Sequence, residues 1–96
     1  MLYALICTDK PNSIDLRMQI RPAHLMFLDK LGTNMKAAGP FVDDDGKPTG
    51  SLVIIQADDL ASAKAIAAQD PYAIAGLFSS VDVKPWKWLI KNPEAA

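Results

Sequence analysis

The chain predicts an α+β fold in which four strands and two helices follow one another as β-α-β-β-α-β, and three observations carry that expectation. Two short apolar runs, "LYALIC" and "SLVIIQA", are bounded by turn-forming residues and have the length of buried strands. Two stretches of helix-forming residues with recurring apolar positions, near residues 22–31 and 58–69, lie between the strand-like runs. The segment "DDDGKPTG" has the Asp, Gly and Pro content of a turn and joins two strand-like stretches, as a hairpin does.

Taken in order, Leu2 to Cys7 forms the first strand and "TDKPN" ends it. "SIDLRMQI" has the pattern for one or two helical turns. Pro22 should then interrupt them and open a new helix at its first position, where a missing N–H costs nothing. That helix runs to Leu31 or Gly32. "NMKAAGPFVD" reads as a strand with an irregularity at Gly39-Pro40, and Ser51 to Ala57 as the next strand. "DDLASAKAIAAQ" is a helix with an aspartate N-cap. Residues 78–90 supply the last strand, with Pro85 marking an edge or a bulge, and the tail "KNPEAA" is expected to be loose. The element order is that of the ferredoxin-like fold. Two helices cover only one face of such a sheet, yet "LYALIC" and "LVII" are apolar at both alternating sets of positions. A second copy of the chain is the simplest cover for the other face, so a homodimer is expected.

Ninety-six residues make one domain, residues 1–96, and half of them are hydrophobic, which excludes a disordered chain. Ten basic residues against eleven acidic ones are scattered, and a formal net charge of −1 argues against a nucleic-acid surface. Cys7 is the single cysteine, so no intrachain disulfide can form and a reducing compartment is favoured. The start lacks a basic region and a small-residue cleavage site, and no apolar run is long enough to span a membrane. A cytoplasmic location follows as the expectation.

The one histidine, His24, lies in "RPAH". At ~100° per residue it shares a face with Phe27, Leu28 and Leu31, while Met26, Asp29 and Lys30 take the other side. Desolvation on that apolar stripe and the positive end of a helix starting at Pro22 both disfavour the imidazolium, which leaves a neutral ring able to accept a proton. The competing reading is a core histidine bonded to a backbone carbonyl. Asp70, in "QDPY", is either a carboxylate partner for that ring or the N-cap of a short turn through "PYAIAG". If the two helices run roughly parallel, His24 and Asp70 sit at opposite ends and meet only across a dimer or through residues 9–21. Arg17 and Arg21, four apart, are candidates to grip an anionic substrate. One His and one Cys far apart offer no metal-ligand spacing, and neither "DDDG" nor "GKPTGS" has the context of a calcium loop or a phosphate loop. No metal or other cofactor is expected.

With "MLYALICTDK", "LRMQIRPAHLMFLDKLG", "AAGPF", "GSLVII", "DPYAIAGLF" and "VKPW" on the page, the chain resembles the YciI-like (YCII-related) family over nearly its whole length. The resemblance implies a ferredoxin-like unit of the dimeric α/β barrel type. It also implies a site centred on a histidine and an aspartate, which map to His24 and Asp70. Gly39, Pro40, Ser51, Tyr72 and Phe78 would line it. Two functions follow from different classes: a metal-independent small-molecule enzyme working by general acid–base chemistry (proton abstraction, elimination or hydrolysis), or a non-catalytic dimer that binds a small molecule or a protein.

Overall fold

The structure is a computed structural model and describes residues 1–94. β1 (Leu2–Asp9) leads through α1 (Ile14–Lys30) and a 3₁₀ turn at Gly32–Asn34 to β2 (Met35–Val42). A hairpin brings in β3 (Pro48–Gln56), followed by α2 (Leu60–Ala68), a single turn α3 (Pro71–Ile74) and β4 (Phe78–Trp86). The four strands form one antiparallel sheet in the order β2-β3-β1-β4, so the hairpin strand β3 inserts beside β1 and the last strand closes the opposite edge. That is the α+β, ferredoxin-like arrangement.

Proline placement follows the edges. Pro40 and Pro85 lie in the two edge strands, where a missing donor need not break a ladder, and Pro48 opens β3. The register shifts of β2 fall between Met35 and Ala37 and between Phe41 and Val42, so the irregularity expected at Gly39-Pro40 lies a residue or more to either side. Gly50 is required by proximity. A Cβ there would run into the carbonyl of Cys7 on β1, so a side chain is excluded at this point of the β1–β3 pair.

One expectation is corrected by α1. It is a single helix of 17 residues with Pro22 inside it, not two pieces separated at that residue. Pro22 deprives the Met18 carbonyl of its usual partner, but both residues are exposed, so water can take the lost place and the helix continues. α2 begins at an aspartate, as its sequence suggests: Asp59 accepts the Ser62 N–H at 2.7 Å, and this bond holds the carboxyl below its ordinary range. No helix among the described residues is long and apolar enough to cross a membrane.

The core lies between the helices and one sheet face. Tyr3, Leu5 and Cys7 of β1 and Val53 and Ile55 of β3 meet Leu28 of α1 and the small Ala63 and Ala67 of α2, which let that helix settle close to the sheet. The other face carries Ala4, Ile6, Leu52 and Ile54, flanked by Phe41 and Trp86, which remain 42% and 38% exposed. An apolar groove of about 600 Å³ crosses it. Beyond β4 the Trp88 indole donates to the Ile90 carbonyl, and Glu94 pairs at 2.9 Å with Lys36 of β2, 58 residues away in the sequence. Of the tail expected to be loose, residues 91–94 are described and make surface bonds only; Ala95 and Ala96 lie outside the described residues.

Candidate active site

Because β1 and β3 are antiparallel and each is followed by a helix that turns back, α1 and α2 run antiparallel to one another. The expectation of parallel helices is thereby reversed. The consequence is direct: the middle of α1 faces the end of α2 and the turn α3, and His24 meets Asp70 within one chain.

Nδ1 of His24 lies 2.9 and 3.0 Å from the two carboxylate oxygens of Asp70. A carboxylate only accepts, so Nδ1 carries the hydrogen and donates it, and in the neutral ring the lone pair is then on Nε2. Both side chains are 8% exposed. Among the described residues Nε2 has no protein partner, and no buried side-chain nitrogen or oxygen is left without one, so Nε2 is open to the adjoining cleft. His24 is eleven residues into α1, so it does not stand at the positive helix end where a start at Pro22 would have put it.

Both readings of Asp70 hold at once. Its backbone is extended, Pro71 occupies the first position of α3, and its Oδ1 also accepts the Tyr72 N–H at 2.9 Å. The cap fixes the carboxylate that orients the imidazole.

Arg17 shares the helix face with Arg21, His24 and Leu28, at i, i+4, i+7 and i+11. It is 5% exposed, and its Nη1 donates to both oxygens of Asp9 at 3.0 and 2.9 Å while Nη2 donates to Ser51 Oγ at 2.6 Å. Its guanidinium carbon sits 4.7 Å from the centroid of the Tyr72 ring, and that ring stacks on His24 at 4.0 Å with the planes 18° apart. Guanidinium, phenol and imidazole thus form one column. Burial pushes the Tyr72 phenol above its ordinary range, against the opposing charges of Arg17 and Arg21. Burial likewise pushes the Cys7 thiol up to about 12, with Asp70 and Asp9 adding to the effect, so this cysteine is no nucleophile near neutral pH.

A cleft of about 190 Å³ opens beside the column. Arg17, Arg21, His24, Ser51 and Tyr72 supply its polar lining, and Gly39 and Pro40 of β2 lie along one wall. Phe78 is placed differently: it packs edge-on against Tyr72 with ring centres 5.9 Å apart, behind the column and away from the cleft. The walls also include Leu25, Leu28 and Val53, which sequence reasoning did not assign to a site. Nor did it assign Asp9. The signal was present, since Asp9 continues the inward alternation Tyr3, Leu5, Cys7 and so puts a carboxylate at a core position that demands a partner. No group of three or more His, Cys, Asp or Glu residues among the described ones is arranged to hold a metal ion.

Comparison with known proteins finds relatives over nearly the whole chain. Protein YciI of Escherichia coli and a Haemophilus influenzae protein are each 40% identical to the chain, over 91% of it and 97% of their own length. A solved structure of TftG, the 5-chloro-2-hydroxyhydroquinone dehydrochlorinase of Burkholderia phenoliruptrix, in complex with 2,5-dihydroxybenzoquinone, is 32% identical. It superposes with a TM-score of 0.83, covering 91% of this chain and 94% of that one. A NIPSNAP family protein of Agrobacterium tumefaciens, 14% identical with a TM-score of 0.58 over 98% of this chain and 97% of its own, shares the fold alone. The YCII-related domain model matches residues 1–87, and the chain belongs to that family.

Proposed function

We propose that the protein is a small-molecule enzyme in which His24 acts as the general base, taking a proton from the substrate at Nε2 and starting an elimination. The observation that carries this reading is the pair of bonds from Nδ1 to Asp70, which commits one ring nitrogen to the carboxylate and leaves the other as an acceptor beside the cleft. As the ring gains a proton it becomes an imidazolium against a carboxylate, so charge developing at the base is neutralised by a group already in place. The resemblance to a dehydrochlorinase supports the same class of reaction on a hydroxylated ring. Arg17 is spoken for by Asp9 and Ser51, and its part is to hold the Tyr72 ring against the imidazole.

We further propose that two copies of the chain pair through the outer sheet face. The groove there is apolar, and its rim carries the half-exposed Phe41 and Trp86.

The test is turnover of chlorinated hydroxyhydroquinones, followed by chloride release and by the product's absorbance. His24→Gln should lower kcat by about 10²–10⁴-fold with the circular dichroism unchanged, the range for losing a positioned base. Turnover that survives in His24→Gln would overturn the reading and favour a binding domain.

A further inference from the structure

We infer that Arg21 is the specificity-determining residue of the cleft and that the site takes a single-ring molecule carrying an ionised oxygen group, which Arg21 binds with the Tyr72 hydroxyl as second donor. This inference rests on the reading of the cleft as the substrate site.

Size limits the ligand first. A cavity of about 150 Å³ holds a benzene ring, and drug-sized ligands need about 300 Å³ or more. The cleft, at about 190 Å³, has room for one substituted ring. Leu25, Leu28, Pro40 and Val53 give it apolar walls.

Charge limits it next. Arg17 is neutralised by Asp9, with Nη1 on both carboxylate oxygens, and has no net charge to offer. Asp70 stands behind the imidazole, with its oxygens occupied by His24 and by the Tyr72 N–H. Arg21 is different. It lines the same cleft, is exposed at its mouth, and has no ion pair or side-chain hydrogen bond among the described residues. A guanidinium offers five donors in a planar fork, suited to a carboxylate or a ring oxyanion.

Tyr72 adds the second donor. The residue is 1% exposed and its ring is clamped between Arg17 and His24, yet its hydroxyl bonds to no described residue. No buried side-chain oxygen is left unpartnered, so this hydroxyl reaches the cleft that Tyr72 lines. Arg21 and Tyr72 line the same cleft, so both donors border the space that one anionic group would fill. An anion held there balances Arg21, and a proton passed to His24 from a separate hydroxyl of the same ring, whose O–H bond pair stays on the substrate, turns the dyad into a neutral imidazolium–carboxylate pair.

The experiment measures binding without turnover, so it stands or falls separately from the acid–base reading. Benzoate and benzamide, near-isosteric and differing in charge, are titrated into the protein and followed by NMR shifts at Tyr72, Gly39 and the His24 ring. Wild type should bind benzoate more tightly than benzamide by about tenfold, the scale of one charge-assisted contact. Arg21→Gln, an exposed change, should abolish that preference; Arg21→Lys should keep part of it, and Tyr72→Phe should weaken benzoate alone. His24→Gln should lose turnover yet keep the preference. Failure of wild type to bind benzoate, or an undiminished preference in Arg21→Gln, would overturn the inference.

Discussion

Asp9 and Asp70 are both carboxylates with side chains almost shut off from water, and α1 answers each of them, with Arg17 and with His24. Cys7 lies near the pair, and burial and both acids hold its thiol neutral. That arrangement has a pH signature whose sign is fixed. The thiol's folded value of about 12 lies above its ordinary 9.0, so between these limits the folded chain keeps a proton that the unfolded chain releases. Stability contributed by Cys7 is intact below the lower limit and declines as pH rises through the window, by about 1.4 kcal/mol per pH unit at most. Urea unfolding of wild type and Cys7→Ala at a series of pH values checks this: the wild-type curve should fall more steeply above pH 9.0, and parallel curves would contradict it.

Among the elements, β3 carries the tightest constraint. Gly50→Ala would press a methyl group on the Cys7 carbonyl and force β3 away from β1, next to Ser51, whose hydroxyl accepts from Arg17. A loss of about 1–3 kcal/mol in chemical unfolding is expected, with weaker ligand binding in whatever fraction stays folded. The strands, the hairpin and the Asp59 cap were legible in the sequence because alternation, turn residues and capping chemistry act within a few residues, although the last strand ends at Trp86 and not at residue 90. α1 was not, because Pro22 is a strong local stop signal, and only the solvent exposure of its surroundings lets the helix pass through. His24 and Asp70 were legible as candidates, but their meeting depends on helix direction, which is a property of the sheet order. Asp9 escaped because the alternation that marks it as an inward carboxylate does not say which cation answers it, and Arg17 arrives from another element.

For the molecule as a whole, the unbalanced sheet is the dominant feature. The helices cover one face, and on the other Ile6 and Leu52 stay half-buried beside the exposed edge of Phe41. If two copies pair there, sedimentation equilibrium at micromolar concentration should return twice the chain mass of 10.4 kDa. Leu52→Asp should return the single mass with the circular dichroism retained, since its side chain points away from the core. A monomeric wild type would dispose of the pairing.

The bonds that build the cleft also fix when it can exist. His24 and Asp70 are 46 residues apart, and Arg17 reaches Ser51 across 34, each bond joining the part of the chain before the hairpin turn to the part after it. α1 can form from local contacts, but the dyad has to wait for the two halves to dock, since loops of that span close only when the contacts they bring together hold them. During refolding, the His24–Asp70 contact should therefore appear with the docking of the halves and after the first helical signal. A chain whose halves have come apart at the turn has neither the His24–Asp70 nor the Arg17–Ser51 bond.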